Sequence, residues 1–163
     1  VDGLAFDKNG NLWMTSSEVN HAVLVLDKAG AWHRLDIEQL RGVYTINDIL
    51  ITSTNDKWIY VPRNTPKLVM IPNSESLDEV SSYEFTTLID TDGKELTPSN
   101  YTCVAEDKDG YIWVGTNRGA VYFTKPRISS AEDKAATRCT RVKYTNEETG
   151  NLAYFLDLSL IHI

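Results

Sequence analysis

The sequence has little cysteine, methionine or histidine: two, two and three residues among 163. Two cysteines exclude a disulfide-dense miniature fold and a four-cysteine zinc site. Positive charge is also scarce, with 16 basic against 23 acidic residues and a net charge of −7. That argues against non-specific nucleic-acid binding, which needs a basic face. No run of 18 apolar residues exists, so no helical membrane span is expected. No stretch holds a sustained 3.6-residue apolar period, so long amphipathic helices are not expected either. What is present is a 42% hydrophobic fraction, rich in valine and isoleucine, with many threonines and 10% aromatics. Such residues suit pleated, half-buried surfaces and predict an all-β chain with a packed core.

The sequence repeats itself. Gly3-Leu-Ala-Phe-Asp-Lys-Asn-Gly-Asn-Leu-Trp13 lies without a gap over Cys103-Val-Ala-Glu-Asp-Lys-Asp-Gly-Tyr-Ile-Trp113. Asp7, Gly10 and Trp13 thus match Asp107, Gly110 and Trp113. A weaker copy, Asp48-Ile-Leu-Ile-Thr-Ser-Thr-Asn-Asp-Lys-Trp58, lies between them. The tryptophans are 45 and 55 residues apart, near the propeller-blade period of roughly 40–50. Each copy reads as a hairpin: an Asx residue starts the turn and glycine takes the positive φ that closes it. Two more strands complete each unit, at 22–27 and 32–36, at 67–71 and about 83–89, and at 120–124 and 138–145. Residues 37–41 and 129–136 each suit a helical turn inserted between strands.

Four antiparallel strands per unit predict propeller blades. The units fall at about 1–42, 43–100 and 101–150, with the opening of a fourth to residue 157. A closed ring takes about four to eight blades, so a partial β-propeller in an open arc is expected, as part of a longer natural protein. Leu158-Ser-Leu-Ile-His-Ile163 reads back as CTG TCT CTT ATA CAC ATC, which resembles a transposon end used in sequencing libraries. This tail is expected to be adapter-derived, and His162 gets no chemical role.

The third unit carries a resemblance. Glu106-Asp-Lys-Asp-Gly-Tyr-Ile-Trp-Val-Gly-Thr-Asn-Arg-Gly119 resembles the repeat of two-component regulator propellers. That pattern is an acid, Asp-x-x-Gly-x-[Leu/Ile]-Trp-[Val/Ile]-Gly-Thr, a polar pair and Gly. The first unit keeps Asp7, Gly10, Leu12 and Trp13, and the middle unit little beyond Trp58. Arg138-Cys-Thr-Arg-Val-Lys-Tyr-Thr-Asn-Glu-Glu-Thr-Gly150 resembles a segment of the PorZ-like surface propellers of Bacteroidota. The resemblance implies an exported, non-enzymatic propeller at the periplasm or cell surface, associated with type IX secretion. Its implied partner is anionic lipopolysaccharide or another anionic glycan, or a surface protein.

The remaining chemistry is weighed residue by residue. The Asp-Lys-Asn/Asp-Gly turns lack the ligand series and twelfth-position glutamate of a calcium loop, so neither metal nor cofactor is expected. The three tryptophans are expected to pack between blades rather than to stack on a sugar. Cys103 and Cys139 fall on the innermost and outermost strands of one blade, roughly 14 Å apart, too far for a disulfide. Each is expected as a small buried hydrophobe. Neither His21 nor His33 pairs with a recognisable nucleophile motif. Glu106, on an inner strand immediately before a turn, is expected to be solvated or turn-capping rather than catalytic.

One end of the arc is the candidate binding face. The loops between second and third strands, at 16–21, 62–66 and 117–119, emerge together. They supply Ser17, Asn20, His21, Arg63, Asn64, Asn117 and Arg118. Arginine suits carboxylate or phosphate through its planar fork. Three functional classes stay open: a non-catalytic recognition or scaffolding propeller, the sensing ectodomain of a hybrid two-component regulator, and a propeller glycoside hydrolase.

Overall fold

The computed structural model describes residues 1–145 and 147–154. The tail at 158–163 lies outside the described residues. Three four-stranded antiparallel sheets follow one another as blades. The first contains β1 (Gly3–Phe6), β2 (Leu12–Thr15), β3 (Val23–Leu26) and β4 (Trp32–Leu35). The second contains β5 (Ile49–Ile51), β6 (Lys57–Val61), β7 (Lys67–Ile71) and β8 (Tyr83–Phe85). A short hairpin, β9 (Leu88–Ile89) and β10 (Glu95–Leu96), comes next. The third blade contains β11 (Tyr101–Glu106), β12 (Ile112–Thr116), β13 (Gly119–Phe123) and β14 (Thr140–Arg141). A second hairpin, β15 (Lys143–Thr145) and β16 (Leu152–Tyr154), follows it. The predicted open, partial β-propeller is thus what the chain forms.

Two expected fourth strands are shorter than read. Residues 83–89 split into β8 and β9, because Asp90-Thr-Asp-Gly93 makes its own turn and pulls Ile89 into the extra hairpin. Residues 138–145 split at Val142, after which β15 pairs with β16 instead of continuing the sheet. Residues 152–154, read as the opening of a fourth unit, pair with β15 in a two-stranded sheet of their own. Both predicted helical inserts form: a 3-10 turn at Glu38–Leu40 and α1 at Ala131–Ala136. Ser130 caps α1 by accepting from the Asp133 N–H at 3.1 Å.

The core lies in two layers between blades. One joins Trp13, Val23, Val25 and Leu35 of the first sheet to Ile49, Ile59, Val61, Val69 and Ile71 of the second. The other joins Trp58, Leu68, Met70 and Phe85 to Ile112, Val114, Val121 and Phe123 of the third. Strand patterning follows from this. β3 alternates buried and half-buried because one sheet face is covered, whereas β6 is buried throughout, with a blade on either side. The outer face of the first blade is open, leaving Phe6 and Trp32 70% and 61% exposed.

The repeat tryptophans occupy equivalent register positions, opposite Ala5, Leu50 and Ala105 on the innermost strands. Trp13 and Trp58 each point towards the blade that follows. Trp13 and Trp58 are buried at 2% and 1% exposure, as inter-blade packing requires. Trp58 stacks on Phe123 across the layer, with centroids 5.6 Å apart. Trp113 is only half-buried and packs on Tyr122 of its own sheet at 4.8 Å.

Both cysteines are free. Cys139 is buried as expected, but Cys103 is exposed. A register irregularity between Tyr101 and Cys103 breaks the alternation, and Cys103 shares the uncovered sheet face with Trp113.

Candidate functional site

The turns at one end of the arc are built by a single device. Asp7 Oδ1 accepts from the N–H groups of Asn9 and Asn11, both at 2.9 Å, while Gly10 closes the turn at φ 85°. Asp7 Oδ2 accepts from the Trp13 indole N–H at 2.9 Å. Burial opposes ionisation of Asp7, but the donors from Trp13, Asn11 and Asn9 prevail and hold its carboxyl below the usual range. Asp107 repeats this with Asp109, Tyr111, Gly110 and Trp113, the indole bond measuring 2.8 Å. Asp27 repeats it with His33 where the tryptophan would stand, at 2.8 Å. The hydrogen bond that Asp27 accepts raises the His33 pKa. In the second blade Thr52 takes the aspartate's place, accepting from the Asp56 N–H through Oγ1, and Asn55 takes the glycine's at φ 66°.

These turns also stitch neighbouring blades. The Lys8 N–H donates to Asn55 Oδ1 at 2.9 Å. Ser53 donates to Glu106 through its N–H at 2.6 Å and through its hydroxyl. Glu106, expected to be solvated or to cap a turn, accepts from the turn of the preceding blade. Lys57 lies with Nζ 4.6 Å from the Trp13 ring centroid and donates to Asn55 O at 2.7 Å. Its burial lowers its pKa, against the pull of Asp7 and Asp56.

The opposite end carries the seven predicted binding residues, and they do different work. Ser17 Oγ donates to Asp2 Oδ2 at 2.7 Å and accepts from the Ile46 N–H at 2.8 Å. Asn117 Oδ1 accepts from Ser99 and Asn100 at 2.9 and 3.2 Å. Both stand four residues beyond the repeat tryptophan, and both hold the backbone of an inter-blade connection. At the same place in the second blade, the Pro62 carbonyl accepts from Tyr101 at 3.1 Å. Asn20, His21 and Arg118 are exposed. His21 is near enough to Asp36 to help lower its pKa, behind the dominant hydrogen bond from Arg41.

Arg63 and Asn64 stand apart, because they line a cleft of about 450 Å³ together with Tyr44, Asn47, Asn100 and Tyr101. Asn64 holds φ 68°, a left-handed conformation that asparagine tolerates better than most residues. Among the described residues no carboxylate pairs with Arg63 or Arg118. The cleft draws on both inter-blade connections, which is why Tyr44, Asn47 and Asn100 were missed: each belongs to a segment without repeat character. Asn117 adjoins it through Asn100.

Residues 95–118 match the family described as two component regulator propeller. Among solved structures, PorZ of Porphyromonas gingivalis, an essential bacterial surface component of the type-IX secretion system, superposes with a TM-score of 0.80 at 19% identity. That alignment covers 96% of this chain and 22% of PorZ. The extracellular domain of a B. thetaiotaomicron protein assigned to the hybrid two component systems superposes with a TM-score of 0.54 at 16% identity. There the coverage is 94% of this chain and 20% of the other. The chain thus spans about a fifth of either neighbour. No curated protein sequence matches it significantly. No helix among the described residues is long and apolar enough to cross a membrane. The matched repeat falls in the third unit, and the chain as a whole folds as an open, partial β-propeller similar to part of PorZ.

Proposed function

We propose that this chain is a non-catalytic, extracytoplasmic recognition or scaffolding propeller whose loop end meets an anionic surface glycan, of the lipopolysaccharide type, as part of type IX secretion. The single observation carrying this reading is the cleft at Arg63 and Asn64, where an exposed guanidinium without an acidic partner overhangs an inter-blade recess. In a chain of net charge −7, such a cation marks one spot for an anion. Arg118, in the equivalent loop of the next blade, supplies a second contact. The aspartates of the turns do not support hydrolysis, since their oxygens accept from turn N–H groups and indoles. The likeness to the surface protein PorZ supports the location.

The test is binding of purified anionic lipopolysaccharide to the Arg63→Ala/Arg118→Ala double variant. Affinity is expected to fall about tenfold at physiological salt, and further dilution of salt is expected to strengthen the parent more than the variant. Unchanged affinity at every salt concentration removes the reading.

A second reading, a ligand-sensing ectodomain, is supported by the likeness to the B. thetaiotaomicron extracellular domain. The gene sequence downstream separates the two: a β-sandwich sorting domain favours secretion, whereas a transmembrane helix and kinase favour sensing.

A further inference from the structure

The connections between blades at the Arg63 end bring together an open aromatic ring, a single guanidinium and two amides in one cleft of about 450 Å³, a size that suits a small ligand. We propose, resting on the anionic-glycan reading, that this cleft takes one hexuronic acid residue. The sugar ring lies on Tyr44, its carboxylate meets Arg63, and its hydroxyls meet the amides of Asn64 and Asn100.

Tyr44 is the ring that a sugar can reach. It is 68% exposed, whereas Tyr101, which also lines the cleft, is fully buried and offers no surface. Its exposure does not come from a frayed loop. Val43 and Ile46 on either side are buried. The Val43 carbonyl accepts from the Glu18 N–H and the Ile46 N–H donates to Ser17 Oγ, each at 2.8 Å. A backbone anchored to the first blade thus holds an aromatic ring out in water. The electron-rich face of such a ring attracts the polarised C–H groups of a pyranose, and covering both removes apolar area from water.

The polar groups are held as firmly. Arg63 and Asn64 form the tip of the β6–β7 hairpin, where the Thr65 N–H donates to the Arg63 carbonyl at 2.9 Å. Asn100 is fixed through its backbone: its N–H donates to Asn117 Oδ1 at 3.2 Å and its carbonyl accepts from the Asn117 N–H at 3.1 Å. Among the described residues, the side-chain amides of Asn64 and Asn100 have no hydrogen-bond partner. Each amide offers a donor beside an acceptor, which matches two neighbouring hydroxyls. No carboxylate among the described residues lines the cleft. Asp48 and Glu84 line neighbouring recesses instead, and Glu84 pairs with Lys67 at 3.2 Å. Arg63 is the one cation of the lining, so charge balance selects a monoanion. A planar carboxylate fits the guanidinium fork, whereas a phosphate monoester brings up to about two negative charges against one positive.

The experiment titrates the 163-residue protein with methyl β-D-glucuronide, the neutral methyl β-D-glucoside and acetate, following the Asn64 and Asn100 side-chain amide signals by NMR. The glucuronide is expected to move both signals saturably. The glucoside, which lacks the charge, and acetate, which lacks the sugar, are each expected to bind at least about tenfold more weakly. Tyr44→Ala is expected to weaken the glucuronide about tenfold and Tyr44→Phe to keep it, with an unchanged Trp13 indole signal reporting an intact fold. Still signals with the glucuronide, equal binding of glucoside or acetate, full affinity in Tyr44→Ala, or equal losses in the two Tyr44 variants would each overturn the proposal. The wider reading fails separately. Lipopolysaccharide binding that ignores Arg63→Ala/Arg118→Ala removes that reading alone, and Tyr44-dependent glucuronide binding still upholds the subsite. Lipopolysaccharide binding that needs the two arginines, with full glucuronide affinity in Tyr44→Ala, removes the subsite alone.

Discussion

In the first blade the Trp13 indole donates to Asp7 and is roofed by the second blade. In the third blade the Trp113 indole donates to Asp107 over the same six-residue spacing, yet remains half-exposed. Turn, glycine and indole hydrogen bond are alike, and the difference in burial follows the neighbouring blade. The Asp-x-x-Gly-x-x-Trp run therefore has two separable jobs. It locks a hairpin locally, and it presents a large ring to whatever blade lies next. A repeat protein draws its stability from such nearest-neighbour interfaces, and the contrast isolates that contribution within one chain.

The largest effect expected is on the covered member. Trp13→Ala removes the centre of the first inter-blade layer and should cost about 3–5 kcal/mol in chemical denaturation. Trp113→Ala, truncating a ring with one face open, should cost about 1 kcal/mol. Equal losses would break the comparison. Next comes the carboxylate. Asp7→Ala strands the Trp13 indole N–H and two turn donors away from water, for about 2 kcal/mol. Asp107→Ala leaves its donors near solvent and should lose clearly less in the same assay.

Lys57→Met is expected to change stability by under about 1 kcal/mol, because the apolar stem already fills the space and desolvation offsets the charge's contact with Trp13. A loss several times larger would show that the ammonium itself holds the layer.

The smallest effect is pH-dependent and belongs to the His33 version of the turn. Its folded-state pKa is raised by the Asp27 hydrogen bond. The pair's contribution is therefore fully present below about pH 6.5 and fades as pH climbs through the raised value. The Tm gap between parent and His33→Gln should narrow from pH 5 to pH 9. A gap that widens would reverse the assignment.

Much of this architecture was legible because a six-residue chemical spacing survives burial and exposure alike. Asp7, Gly10 and Trp13 announced the first turn, and Asp107, Gly110 and Trp113 the third. The extra hairpin at Asp90 escaped notice although Asp90-Thr-Asp-Gly93 has the right turn chemistry. Leu96 stands where the ring donor belongs, and each flanking strand is two residues long. Without its ring, Asp90 keeps Oδ2 buried and unpartnered among the described residues. The candidate site was less legible. Ser17 and Asn117 read as free polar loop residues, and only the wedge between blades reveals that connecting backbone passes within their reach. Arg63 was visible as a charge, but its cleft was not, since Tyr44 and Asn100 arrive from connections of different length. Glu106 looked local because nothing in its own repeat signals that Ser53 lies beside it.

Gly3 has a consequence for the curvature of the whole array. It lies where β1 passes β5, and a Cβ there would meet Thr15 Oγ1 at 2.9 Å, Ile49 N at 3.0 Å and Asp48 Cα at 3.1 Å. The point acts as a hinge pin. Each sheet extends roughly 14 Å outward from it, at about 4.8 Å per strand, so a few tenths of an ångström at the pin become a larger swing at the periphery. How many such sheets complete a circle depends on that angle, and the smallest of side chains guards it.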